Sequence, residues 1–222
     1  MEGLINFREI VELLSKGGMV MGVIIFLSIY VMAVVIFKLY QFYRMEALNP
    51  LFVSQIEKQI DRRKLKDQLA KSNLDSNPVA RVMLSALKTI EKSNVTDDIA
   101  KEEMGRVGSA ELRYLESHMR GLELVANIAP LLGLLGTVIG MVEAFSTLEQ
   151  AGSRVDPSLL AGGIWTALLT TVAGLVVAIP SLAAHYIFDG KIEKVRASMR
   201  DVSIRVLGTK GDKTAPEEWE EK

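Results

Sequence analysis

Charged residues are distributed so unevenly along the chain that it falls into blocks, and three uncharged stretches stand out. The first, Gly17 to Phe37, holds 21 residues and reads GGMVMGVIIFLSIYVMAVVIF. An α-helix rising about 1.5 Å per residue needs roughly 20 residues to cross the hydrocarbon core of a bilayer, so residues 17–37 are expected to form a first membrane span. The second stretch, Leu124 to Val142, holds 19 residues and carries Asn127, Pro130 and Thr137 among apolar and glycine residues. Residues 124–142 are the expected second span. The third, Pro157 to Phe188, runs to 32 residues, longer than a bilayer requires, so the span at 157–188 must tilt or project past the hydrocarbon. These blocks predict an all-α integral membrane protein with three transmembrane helices.

Lys and Arg number 2 in residues 1–16, 15 in residues 38–123, 1 in residues 143–156 and 8 in residues 189–222. The positive-inside rule therefore places the 38–123 region and the 189–222 tail in the cytoplasm. Residues 1–16 and the 143–156 loop face the periplasm, giving an N-out, C-in arrangement in the cytoplasmic membrane. Glu2, Glu9 and Glu12 precede the first span, and its apolar run exceeds that of a signal peptide, so it is expected to be retained. Phe7, Ile10, Val11 and Leu14 recur at helical spacing and suggest a short amphipathic helix at the interface. From Pro50 to Arg120 no strand alternation appears, and helices are expected with breaks at Ser72–Pro78 and near Ser93–Asp98. Leu112, Leu115, Met119, Leu122 and Ala126 then form a heptad seam, which predicts one uninterrupted helix running from the cytoplasm through the second span.

Composition narrows the chemistry. The chain has 222 residues, 49% hydrophobic and only 6% aromatic, a mean hydropathy of +0.24, a net charge of -1 and no cysteine. Disulfides, thiolate metal sites and cysteine nucleophiles are excluded, and two histidines, His118 and His185, make a histidine metal site within one chain improbable. No global charge draws the chain to nucleic acid. The run Arg62-Arg63-Lys64 with Lys66 is interleaved with Glu57, Asp61 and Asp67, as on a solvated helix face, and Glu217 to Glu221 form an acidic end. His118 lies off the seam, and His185 sits near the cytoplasmic end of the third span, where a proton relay is one reading. No nucleophile and base pair, metal cluster or nucleotide loop is visible, so no enzyme and no cofactor are expected.

The spans themselves carry small and polar residues on shared faces. Gly133, Gly136, Thr137 and Gly140 occupy one face of the second span. In the third, Thr171, Gly174, Ala178 and Ser181 form a stripe beside Gly163, Thr166 and Thr170. Two readings stay open: the stripes serve packing alone, with each Thr bonded back to its own helix, or they border an ion path. The third span has no Asp, Glu, Lys or Arg from Pro157 to Phe188. A titrating carboxylate would have to come from Glu143, at the outer mouth of the second span, or from another chain.

The segments LLGLLGTVIGMVEAF (Leu131 to Phe145) and LAGGIWTALLTTVAGLVVAIPSLAAHYIF (Leu160 to Phe188) closely resemble the signature of the MotA/TolQ/ExbB proton channel family, and Leu13 to Phe42 is similar to its first span. Three spans place the likeness in the ExbB and TolQ branch. The resemblance implies a homopentamer enclosing two copies of a single-span partner of the ExbD or TolR type, whose transmembrane Asp carries the ion. It implies pore-facing hydroxyls at Thr137 and Thr171. The family's Glu in GI-x-EAL is replaced by Thr166 in GIWTAL. A pore lined by Thr137, Thr166, Thr170 and Thr171 presents oxygen ligands without a titrating group, which suits Na⁺ as well as H⁺. Gly133, Gly136, Gly140, Gly163 and Gly174 are then the helix-packing positions. The alternative from another class is a structural membrane scaffold without ion coupling.

Overall fold

The computed structural model describes residues 18–45, 77–90, 97–151 and 157–211. All the secondary structure there is helical: α1 (Gly18–Met45), α2 (Pro78–Ile90), α3 (Asp97–Glu116), α4 (Met119–Ala151) and α5 (Pro157–Gly211). The amphipathic segment before the first span, the basic run at 62–66 and the acidic end at 217–221 lie outside the described residues. The chain divides into two compact units, one from Met1–Phe37 and His118–Ile187, the other from Lys38–Ser117 and Phe188–Lys222.

In the first unit, residues 18–37 of α1 combine with α4 and with α5 up to Ile187. Among the described residues three helices are long and apolar enough to cross a membrane. Fewer than a third of the residues in the most apolar stretch of each are buried. Met21, Ile24, Val31 and Val34 form the buried stripe of α1, while Phe26, Ile29, Met32 and Ile36 point outward. Helices apolar on every side are stable only where the surroundings are also apolar, as in lipid. Pro130 and Pro180 sit inside α4 and α5. Each removes one backbone donor, which membrane helices tolerate where neighbouring helices support the turn.

The second unit follows the opposite rule. α2 begins at a cap legible in the sequence: Asn77 Oδ1 accepts the Val79 amide at 2.9 Å and the Ala80 amide at 3.4 Å, with Pro78 as the first helical residue. Val79, Val82 and Met83 are buried, while Arg81 and Lys88 face out. The buried face of α2 lies on α3, where Arg81 reaches Glu111 at 2.8 Å and Gly108 lets Val82 approach. The distal part of α5 buries Phe188, Ile192, Val195, Met199 and Val202, a seam at alternating steps of four and three. Phe42 stacks on Phe188 with ring centroids 5.7 Å apart, and Lys191 Nζ lies 5.5 Å from the Phe42 centroid.

Two expectations need correction. The predicted uninterrupted helix is two helices: α3 ends at Glu116, α4 begins at Met119, and His118 takes φ +64°. The seam residues Leu115, Met119, Leu122 and Ala126 are buried as the heptad pattern implies, but they belong to separate helices. The 143–156 loop is helical as far as Ala151. Its residues are helix formers, and Thr147 and Gln150 bond back one turn, to the Glu143 carbonyl at 2.9 Å and to Ser146 Oγ at 3.4 Å. Charge marked where the apolar stretch stops, not where the helix stops. Residues 189–211 belong to α5 as well.

Candidate functional site at the α4–α5 contact

The small residues singled out in the two helices meet one another. A Cβ at Gly133 would lie 2.9 Å from Thr171 Cα, and one at Gly136 would lie 2.7 Å from Thr170 Cβ. At Gly140 the neighbour is Ala167 Cβ at 2.8 Å, and at Gly163 it is Ala144 Cβ at 2.8 Å. At Gly174 it is the Ala129 carbonyl oxygen at 2.5 Å. Real Cβ atoms do not approach so closely, so these five glycines bring the α4 and α5 backbones into direct contact over Ala129–Ala144 and Gly163–Gly174. Gly121 of α4 is also closely covered, by the Tyr30 side chain of α1, its ring carbon Cζ 3.0 Å from where a Cβ would stand. Gly22, in α1, and Gly162, one residue from Gly163, would meet nothing on gaining a side chain.

The threonines separate into different environments. Thr170 is 2% exposed, seated against Gly136, and its hydroxyl donates to the Ala167 carbonyl at 2.7 Å with the Gly133 carbonyl at 3.2 Å. Thr170 therefore meets the neighbouring helix of its own chain. A stripe at helical spacing cannot distinguish the flank that packs from the flank that looks out. Thr171 is half-buried and donates across the contact to the Gly133 carbonyl at 3.1 Å. Thr137 and Thr166, also half-buried, bond within their own helices, to the Leu134 carbonyl at 2.6 Å and the Gly162 carbonyl at 3.0 Å. A hydroxyl that donates its one proton keeps two lone pairs, so each can still accept from water or hold a cation.

Two polar residues near the start of α4 tie the same helices together. Ser181, fully buried, donates to the Leu122 carbonyl at 2.8 Å. His185 Nδ1 lies 3.3 Å from the Met119 carbonyl, an arrangement that puts the ring proton on Nδ1. Sequence spacing placed Ser181 in the small-residue stripe without its partner. Nothing in the pattern marked His185 as a link between helices. Glu143 lies on the exposed side of α4. Among the described residues no group of three or more acidic or histidine side chains could hold a metal ion.

Residues 53–201 match the MotA/TolQ/ExbB proton channel family. The chain belongs to that family. Its relatives carry ExbB names and place it in the ExbB/TolQ branch. It is 28% identical over 195 residues to a biopolymer transport protein ExbB homolog of Methanothermobacter thermautotrophicus, covering 87% of this chain and 68% of that protein. It is 39% identical over 117 residues to the biopolymer transport protein exbB1 of Vibrio cholerae, covering 50% and 51%. It is 29% identical over 174 residues to an ExbB-like biopolymer transport protein of Synechocystis, covering 78% and 81%. The matched stretch is thus about half of the Vibrio protein and larger shares of the other two. With three helices apolar enough to span, this ExbB-type chain is a multi-pass protein of the bacterial inner membrane. The family is one of membrane proton channels and transport components and is not a known enzyme class.

Proposed function

We propose that this chain is the multi-pass subunit of an ion-driven energy transducer, assembling as a homopentamer around a dimer of a single-span partner of the ExbD or TolR type. The N-terminus and the α4–α5 connection face the periplasm. The observation that carries the reading is the 32-residue uncharged stretch Pro157–Phe188, packed through glycines and threonines onto a second apolar helix. Such a pair offers oxygen ligands and no titrating group. An ion path along it needs a carboxylate from elsewhere, and a transmembrane Asp on the partner supplies one. Thr137, Thr166 and Thr171 present hydroxyl lone pairs toward that Asp, and Thr166 in place of the family's Glu opens the path to Na⁺ as well as H⁺. Each charge crossing 100 mV releases about 2.3 kcal/mol, so a few ions suffice to turn the partner within the pentamer and to do work on the cell envelope, such as energised outer-membrane transport.

The decisive experiment co-expresses the chain with the single-span, Asp-bearing protein encoded beside it and weighs the complex by native mass spectrometry. Five copies with two partners support the transducer. Output in Na⁺-free medium that collapses only with a protonophore assigns H⁺ and removes Na⁺. Thr171→Val and Thr137→Val should each lower coupled output at least tenfold while assembly survives; wild-type output from both removes the hydroxyls from the ion path.

One observation favours a structural scaffold instead: all four hydroxyls already donate to backbone carbonyls. That reading requires a stable homo-oligomer that never takes up the partner, which the same mass measurement detects.

A further inference from the structure

Lys38 is the largest side chain fully buried among the described residues. Its Nζ donates to the Leu115 carbonyl at 2.5 Å and to Gln41 Oε1 at 2.9 Å, and Gln41 Nε2 donates to the Tyr114 carbonyl at 3.3 Å. Among the described residues no carboxylate lies within ion-pair distance of Lys38. Among those residues its charge is met by the dipoles of two carbonyl groups. Tyr114 and Leu115 lie in the last turn of α3, where carbonyls lose their helical donors and a partial negative charge gathers. In an uninterrupted helix those two carbonyls would accept the amides of His118 and Met119, four residues on. Lys38 and Gln41 stand where those amides would be. The backbone bonds at the break run instead from Ser117 to Tyr114 and from Gly121 and Leu122 to His118.

Local sequence does not ask for a break at this point. Residues 109–120 contain no Gly or Pro, and the heptad seam continues across 115–126. The turn residue is His118, whose Cβ is disfavoured at positive φ. A buried ammonium is itself costly and seldom a net source of stability; its best-attested use is to select one arrangement over another. With the cap withdrawn, the Leu115 carbonyl loses its side-chain donor and the Tyr114 carbonyl keeps only the 3.4 Å bond from Ser117, and continuing the helix, with His118 returned to the right-handed region, gives both a full backbone partner.

We propose that Ser117–His118 is a two-state joint, broken while Lys38 and Gln41 cap the end of α3 and continuous when they withdraw. Both caps sit one turn apart on α1, so a shift of the α1 end along α3 is the motion that switches it. The proposal concerns a backbone state and does not depend on the chain being an ion-driven transducer.

The test uses the full chain in lipid nanodiscs and reads amide hydrogen exchange across residues 114–122. In Lys38→Met/Gln41→Leu the amides of His118 and Met119 gain helical partners and should exchange at least tenfold more slowly than in the wild type. Adding His118→Gly, which relieves the cost of the left-handed turn, should restore fast exchange. Gln41→Leu alone should slow exchange by a smaller factor, and it covers the case in which the double variant does not fold. With only two histidines in the chain, the ¹³C shifts of labelled His118 give a second reading, moving to helical values in the double variant. Unchanged exchange and an unchanged His118 shift in these variants overturn the joint. So does faster exchange across the whole stretch, because the cap would then merely hold a helix end from fraying.

Discussion

The two units bury their side chains by opposite rules. In the unit of Met1–Phe37 and His118–Ile187, the closest contacts are made by the smallest residues, and the bulky apolar side chains Phe26, Leu131, Trp165 and Val176 point outward. In the unit of Lys38–Ser117 and Phe188–Lys222, large apolar side chains such as Met83, Leu115 and Ile192 are buried, while charged side chains such as Arg81, Lys88 and Arg106 lie on the outside and Lys38 is the buried exception. The difference follows from the solvent. Water drives apolar surface inward at roughly 25 cal/mol per Å². Lipid gives no such drive, and helices associate by close backbone approach and interhelical hydrogen bonds. Glycines such as Gly133, Gly136 and Gly174 therefore set the backbone spacing in the first unit, whereas in the second a Cβ at Gly105 or Gly190 would meet nothing and one at Gly108 would make ordinary contact with Val82.

Substitutions that exchange the two rules should fail in opposite ways. The largest effect is expected from Gly136→Leu, which drives a side chain into Thr170 and the α5 backbone, at a cost of about 3 kcal/mol or more. Detergent-extracted protein should unfold at a lower temperature than the wild type, and an unchanged midpoint would refute backbone contact as the basis of the first unit. Next comes Ile192→Ala, which hollows the seam of the second unit at a cost of about 2–4 kcal/mol, read as a lower midpoint of thermal unfolding. The matching change at outward-facing Val176→Ala should leave that midpoint within error. A smaller effect, about 1 kcal/mol, is expected from Thr170→Val, which keeps the shape seated on Gly136 but drops the bonds to Ala167 and Gly133. Coupled output should survive in Thr170→Val and not in Thr171→Val; equal losses would return Thr170 to the ion path. At a similar or lower level, Asn77→Ala removes the α2 cap for about 1 kcal/mol, measurable as faster amide exchange at Val79 and Ala80.

Much of this architecture could be read along the chain. The three spans followed from uncharged length, the α2 start from Asn77-Pro78, and the spacing of Gly133, Gly136 and Gly140 put them on one face. What could not be read was which flank of a stripe meets a neighbour. Thr170 and Thr171 are adjacent, yet one is sealed against Gly136 and the other only half-covered. The seam Phe188, Ile192, Val195, Met199 and Val202 was there to be found by its spacing. Charge blocks do not mark it, because the third uncharged stretch ends at Asp189.

Sequence alone determined the number of spans and the family to which the chain belongs. The spans are sums of local preferences, each residue expressing its own affinity for lipid or water. Tertiary structure decided where α3 ends, because its last carbonyls are capped by side chains 73 and 77 residues away in the chain. The local sequence across 112–126 favours one helix, and a buried lysine from another helix makes it two. A pattern along the chain records what each residue prefers as its surroundings, and only the folded chain supplies the distant donor that overrides it.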